Sequence, residues 1–149
     1  MKKFIVIFVL CIILALGWYL LSPLLRQNEL NDPLPDSMAN TPPSGDTNIF
    51  RKGAFVPRAH DVAGQAILLT SENKSYIRFE NFDTINGPDL HIYLSTDLGA
   101  TDYVDLGKIR ATQGNVNYEI PAGTDTMRYS KVLVWCVPFK VLFSFAELQ

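Results

Sequence analysis

The stretch KVLVWCV, residues 131–137, contains six consecutive apolar residues between Lys131 and Pro138, and this run predicts a strand. In an extended strand, successive side chains point to opposite faces of the sheet. Cys136 therefore lies on one face and Trp135 on the other, and every neighbour of either residue within the strand is also apolar. A strand with no polar face must be covered on both sides. The sequence predicts that the core covers one side, and that a loop, the chain end, a partner or a bound group covers the other.

The chain from residue 49 onwards repeats this kind of element, with short apolar stretches separated by turn residues about every ten positions. In YIRFENF, residues 76–82, Ile77 and Phe79 share one face, whereas Arg78 and Glu80 share the other. No window after residue 49 shows a helical period. The pattern predicts an all-β domain over 49–149, built as an antiparallel β-sandwich or a barrel-like sheet. The remaining candidate strands are GQAILLT (64–70), LHIYLS (90–95), VDLGKIR (104–110), VNYEI (116–120) and FKVLFSFAEL (139–148).

Residues 1–25 are predicted to form a cytoplasmic tip and a membrane anchor. Lys2 and Lys3 precede 22 uncharged, mostly apolar residues, 4–25, and a helix of that length covers roughly 33 Å. The positive-inside rule leaves the N-terminus in the cytoplasm and exports the rest of the chain. The small-x-small sequence at 15–17 is the competing sign of a cleaved signal peptide, but the apolar run continues beyond it. We predict a single-pass protein of the cell membrane whose C-terminal domain is extracytoplasmic.

Residues 26–48 are rich in Pro, Asn, Asp and Ser, which predicts a flexible linker between the anchor and the β domain. They carry one basic residue and four acidic residues. The whole chain has a net charge of -2 and no basic cluster. Nucleic-acid binding requires a clustered Lys and Arg surface, and the sequence therefore excludes it.

Candidate chemistry is concentrated at two places. Cys136 is the one cysteine outside the apolar N-terminal run, so in an exported domain it has no disulfide partner within the chain. Asp89 and His91 are two residues apart at the start of a strand and share a face. Two such ligands do not make a metal site, and the only other histidine is His60. No phosphate-binding glycine loop, nucleophile elbow or zinc-protease helix occurs, which favours a protein that is not an enzyme.

Three blocks of the chain, taken in order, resemble the DM-thirteen domain family: FENFDTINGPDLHIYLS, VDLGKIRATQGNVNYEIP and KVLVWCVPFKVLFSFAEL. They contain Gly-Pro-Asp-Leu at a strand entry, a Gly-x-x-x-Tyr strand and Trp-Cys before a Phe-rich final strand. The resemblance covers about residues 50–148. It implies a small extracellular β domain with a suggested role in electron transfer, and it places the hallmark cysteine of the family at Cys136.

The resemblance implies a redox role centred on Cys136, with Trp135 lining the site and Asp89 fixing the strand entry. The cysteine would act as a naked thiol or as the ligand of a haem-like group, with His91, His60 or nothing opposite. The partners would be the lipid bilayer through residues 4–25 and an unidentified protein or redox partner outside the cytoplasm. The alternative is a non-catalytic surface binding or structural module in which Cys136 is a packed core side chain.

Overall fold

The structure is a computed structural model that describes residues 2–21, 27–35, 51–71 and 74–149. Within these ranges, one helix is followed by nine strands that form a single sheet in the order β1-β7-β4-β3-β2-β9-β8-β5-β6. The elements are α1 (Lys2–Leu21), β1 (Glu29–Asn31), β2 (Arg51–Pro57), β3 (Val62–Ser71), β4 (Lys74–Thr84), β5 (Leu90–Ser95), β6 (Tyr103–Lys108), β7 (Gln113–Ile120), β8 (Lys131–Cys136) and β9 (Val141–Glu147).

The predicted membrane span, residues 4–25, is longer than α1, and its last four residues lie outside the described part of the chain. Within the described ranges, no helix has both the length and the hydropathy that crossing a membrane requires. Anchoring through residues 4–25 therefore stays a prediction.

The sheet curls over at β2, which belongs to both halves. Arg51–Ala54 pair with β3, whereas Phe55–Pro57 pair with β9. The two halves thereby face each other, and the inward side chains of both form one core. The largest completely buried side chains of that core include Phe79, Phe82, Ile77, Leu90, Ile92, Leu94, Val116, Val132 and Val134.

The prediction of an all-β domain is confirmed, and each of the seven candidate strands lies on an observed strand. The alternation in β4 also holds on its inner face, since Ile77 and Phe79 have no exposed surface. Two strands were not predicted, β1 and β2. The sheet is antiparallel as predicted apart from one pair, since β1 pairs with β7 in parallel.

Strand β1 comes from the segment predicted to be a linker, and it is held by polar contacts that the sequence did not reveal. Asp32 accepts hydrogen bonds from Arg110 Nη1 at 2.7 Å and from the backbone N–H of Asn117 at 2.9 Å. Arg78 donates to the Asp32 carbonyl at 3.1 Å and to Asn117 Oδ1 at 2.9 Å. Arg78 is consequently only 6 % exposed, although it lies on the polar face of β4. The rest of the predicted linker, at 26 and 36–48, lies outside the described residues.

Gly114 explains why β1 fits against β7. A Cβ atom at this position would lie 2.2 Å from the Leu30 carbonyl oxygen, and the residue has a φ of +103°. Only glycine combines this backbone conformation with such a close approach of another strand. Gly114, the glycine of the Gly-x-x-x-Tyr block, therefore leaves the space that β1 needs to pair with β7.

Candidate functional site

Cys136 is the last residue of β8, a central strand of the second half of the sheet. Its backbone pairs with Leu90 on β5 and with Val141 on β9. Its side chain belongs to the main core and has no exposed surface. The thiol donates a hydrogen bond to the Pro88 carbonyl oxygen, with 3.2 Å between Sγ and the oxygen. Among the described residues, the thiol thus has its one polar contact with the backbone of the turn that leads into β5.

The local sequence holds this turn, residues 86–89, directly against the end of the core. Gly87 is required because a Cβ atom there would lie 2.7 Å from the ring of Phe143. Asp89 takes a positive φ of 54°, a conformation that aspartate tolerates better than most residues. Its carbonyl oxygen accepts a hydrogen bond from the backbone N–H of Val137 at 3.2 Å. The Gly-Pro-Asp block therefore sets the conformation of the turn that covers the thiol.

Trp135 lies on the opposite face of the sheet from Cys136, in a second apolar cluster with Tyr93 and Leu133. Residues of the loop after β5, Leu98 and Ala100, pack against this cluster. Both apolar faces of β8 are thus covered, since the core covers one side and this loop packs on the other.

An aromatic series runs across this outer face from Trp135 to the surface. The rings of Trp135 and Tyr93 are stacked with 6.2 Å between their centroids, and those of Tyr93 and Tyr103 with 4.1 Å. Burial and, secondarily, a hydrogen bond with Tyr103 raise the pKa of Tyr93 to about 12. Tyr103 is 43 % exposed, so the series ends in solvent.

His91 lies on this same outer face, because it pairs directly with Trp135 across β5 and β8. Its Nδ1 atom is 2.8 Å from Asp105 Oδ2, and its Nε2 atom is 3.6 Å from Asp89 Oδ1. Lys108 Nζ also contacts Asp89 Oδ1 at 2.6 Å, and this hydrogen bond lowers the pKa of the Asp89 carboxyl. Throughout the described chain, no group of three or more His, Cys, Asp and Glu side chains has the arrangement of a metal site.

The structure separates the residues that the sequence suggested as one site. Asp89 and His91 lie together, and His91 is next to Trp135, but the Cys136 thiol is on the other side of the sheet. Cys136 does not fit the role of an axial haem ligand, since its sulfur has no exposed surface and is bonded to the Pro88 carbonyl. The predicted grouping of the four residues around one cofactor is therefore not observed.

Two residues that contact His91 and Asp89 were not predicted from the sequence. Asp105 and Lys108 reach His91 and Asp89 from β6, fourteen and nineteen positions away along the chain, only because β6 pairs with β5. Nothing in a single sequence specifies that pairing. Tyr93 could have been placed here, since it follows His91 by two positions and must share its face.

These features define a small β domain with one buried cysteine at the end of its core and an aromatic cluster with a histidine on the reverse of the same strands. Residues 54–148 match the family described as "Electron transfer DM13". The chain belongs to this family, and the resemblance drawn from the three sequence blocks is confirmed. No curated protein and no solved structure matches the chain.

Proposed function

We propose that the chain is a membrane-anchored electron-transfer protein whose β domain lies outside the cytoplasm and whose redox group is Cys136. Membership of the electron-transfer family is the observation that carries this proposal, since the match includes all of β8 and its cysteine. The anchor rests on the apolar run 4–25 after Lys2 and Lys3. Large apolar side chains along α1 are exposed, among them Phe4, Ile13 and Trp18.

A buried thiol needs a route to an external partner, and the outer aromatic series supplies one. Trp135 is bonded to Cys136 through the peptide backbone, and its ring is followed by those of Tyr93 and Tyr103. The rate of electron tunnelling falls steeply with distance, so electron transfer through a series of close rings is faster than transfer in one long step. In this proposal Tyr103 is the contact point for the partner because it is the exposed end of the series.

The proposed step removes one electron and one proton from the thiol. The electron passes through the rings to a one-electron acceptor, such as the oxidised metal centre of a partner protein, which is reduced. The proton leaves the Sγ–H group, which is already directed at Pro88, and passes to water at this exposed turn. The resulting thiyl radical regains both when a reduced partner donates an electron and water supplies the proton. Asp89 acts as a positioning residue, since it fixes the turn that receives the thiol.

The test uses the full chain in lipid nanodiscs with Cys11→Ser, which leaves Cys136 as the one thiol. Hexachloroiridate(IV) is the oxidant, because it accepts one electron and is strong enough to form a thiyl radical. We expect the chain to reduce hexachloroiridate, the additional variant Cys136→Ser to slow the reaction to the rate at which the aromatic side chains alone are oxidised, and Tyr103→Phe to slow the reaction of the parent chain. Equal rates with and without Cys136 would refute the redox role.

A second function is favoured by one specific observation, the complete burial of Cys136 under a turn that accepts its hydrogen bond. In this alternative the domain is a surface binding or structural module, and the cysteine is core packing. Alkylation of the thiol would then require global unfolding. Cys136→Ala would lower the free energy of unfolding by about 1–3 kcal/mol through a lost hydrogen bond and a small cavity, and the parent chain would reduce hexachloroiridate no faster than Cys136→Ser does.

A further inference from the structure

The strand pairings place the chain entry and four loops at one end of the β domain, here called the entry end. Asn28 is fixed there, since its carbonyl oxygen accepts hydrogen bonds from the backbone N–H groups of Thr112 at 2.9 Å and Gln113 at 3.0 Å. The neighbouring strands pair so that their connections lie at the same end. These connections are residues 58–61, 85–89, 109–112 and 137–140.

Docking of β1 leaves a short tether between the helix and the entry end. From Leu21, the end of α1, to Asn28 is seven residue steps. A fully extended chain covers about 3.5 Å per step, so the reach is at most about 25 Å. The long polar segment 36–50 follows β1 and therefore cannot act as a spacer between the helix and the domain. If α1 is in a bilayer, the entry end must lie close to its surface.

Exposed apolar side chains occur at this same end. Phe139, at the tip of the β8–β9 hairpin, is 69 % exposed, and Val141 and Ile85 are 38 % and 39 % exposed. Lys140, between the two hairpin residues, is also exposed and takes a positive φ of 53°. An apolar ring beside a cation suits the boundary between lipid headgroups and acyl chains, where the ring is buried and the cation meets phosphate.

We propose that the entry end docks on the bilayer surface, with Phe139 inserted at the acyl boundary and Lys140 at the headgroups. This surface deepens the proposed function and rests on its membrane anchor. Two observations carry it independently, the short tether that ends at Asn28 and the exposed apolar tip at the same end. The domain is then held in one orientation instead of turning freely on a stalk.

The test places an environment-sensitive fluorophore on the hairpin tip of the full chain. Phe139→Cys is combined with Cys11→Ser, and the buried Cys136 is shielded from labelling in the folded protein. The matched control is Met127→Cys, because Met127 is 72 % exposed but lies in the loop between β7 and β8, at the opposite end. Labelled chains are reconstituted in vesicles of phosphatidylcholine and phosphatidylglycerol, with and without doxyl-labelled lipid. Circular dichroism checks the fold of both variants.

We expect the label at position 139 to show blue-shifted emission and to lose most of its intensity to doxyl lipid. The label at 127 should keep the emission of a water-exposed dye. Flotation of the vesicles tests the anchor separately. A chain that floats but shows no quenching at 139, or equal quenching at both positions, overturns the docked orientation and leaves the anchor standing. A chain that does not float overturns the anchor and the docking surface together.

Discussion

Asp32 offers the sharpest test of the docked N-terminal strand, because it connects β1 to two other parts of the domain. Its carboxylate accepts two hydrogen bonds from Arg110, at 2.7 and 3.3 Å, and one from the backbone of Asn117 at 2.9 Å. Asp32→Asn keeps the shape but removes the charge. Hydrogen bonds to charged groups contribute about 1.5–3 kcal/mol each, but the Arg110 side chain is 48 % exposed, so solvent screening reduces its share to about 1 kcal/mol or less.

We therefore expect Asp32→Asn to lower the free energy of unfolding by about 1–2 kcal/mol. For a domain of this size that corresponds to a fall in Tm of about 3–8 °C. The assay is thermal unfolding of the full chain in detergent, followed by far-UV circular dichroism at neutral pH. The matched control is Glu119→Gln, since the Lys74–Glu119 pair has side chains that are 60 % and 53 % exposed. It should shift Tm far less than Asp32→Asn does, because both side chains of this pair are in solvent.

Equal shifts in Tm for Asp32→Asn and Glu119→Gln would refute this reasoning, because Asp32 would then behave as an ordinary surface carboxylate. Where the loss is larger for Asp32→Asn, Arg110→Gln can then be added to Asp32→Asn. If the double variant has the same free energy of unfolding as Asp32→Asn alone, the charge of Asp32 acts through Arg110.

Three further predictions concern the sheet and its core. Gly114→Ala should dislodge β1 and accelerate hydrogen exchange at the Thr112 and Gln113 amides, since its Cβ atom would lie 2.2 Å from the Leu30 carbonyl oxygen; unchanged exchange would contradict this. Phe79→Ala should lower the free energy of unfolding in urea by about 3–5 kcal/mol because the ring is completely buried, whereas Phe139→Ala should change it by no more than about 0.5 kcal/mol. Burial raises the pKa of the Tyr118 phenol from 10.0 to about 12. The neutral phenol therefore contributes fully to stability below pH 10, and this contribution is lost as the pH rises through about 12. Tyr118→Phe should therefore gain stability relative to the parent chain between these pH values, and a constant difference would count against the buried phenol.

The strands could be predicted because their signal is local. Alternation of apolar and polar residues identified β4 and β7, and a continuous apolar run identified β8. β2 was missed because it switches partners, so Arg51 and Lys52 lie on one half of the sheet whereas Phe55 lies on the other. β1 was missed because its three residues carry no strand pattern of their own.

In the candidate site, too, some features follow from the local sequence and others only from the folded sheet. The sequence alone fixed that Cys136 and Trp135 point to opposite faces, since side-chain direction alternates along any strand. It also identified the family through the blocks around Gly87, Gly114 and Cys136. Which of the two faces is the core was decided only by the folding of the sheet at β2, because that brings the other half against the cysteine side.

The β class, the strand faces and the family can therefore be inferred from the amino-acid sequence, because all three follow from residues close together along the chain. Three features are visible only in the folded domain: the thiol is buried beneath Pro88, Asp105 and Lys108 contact His91 and Asp89, and part of the predicted linker is a strand. These facts depend on pairings between distant segments, where contact is set by the register and curl of the whole sheet. No short stretch of sequence carries that information.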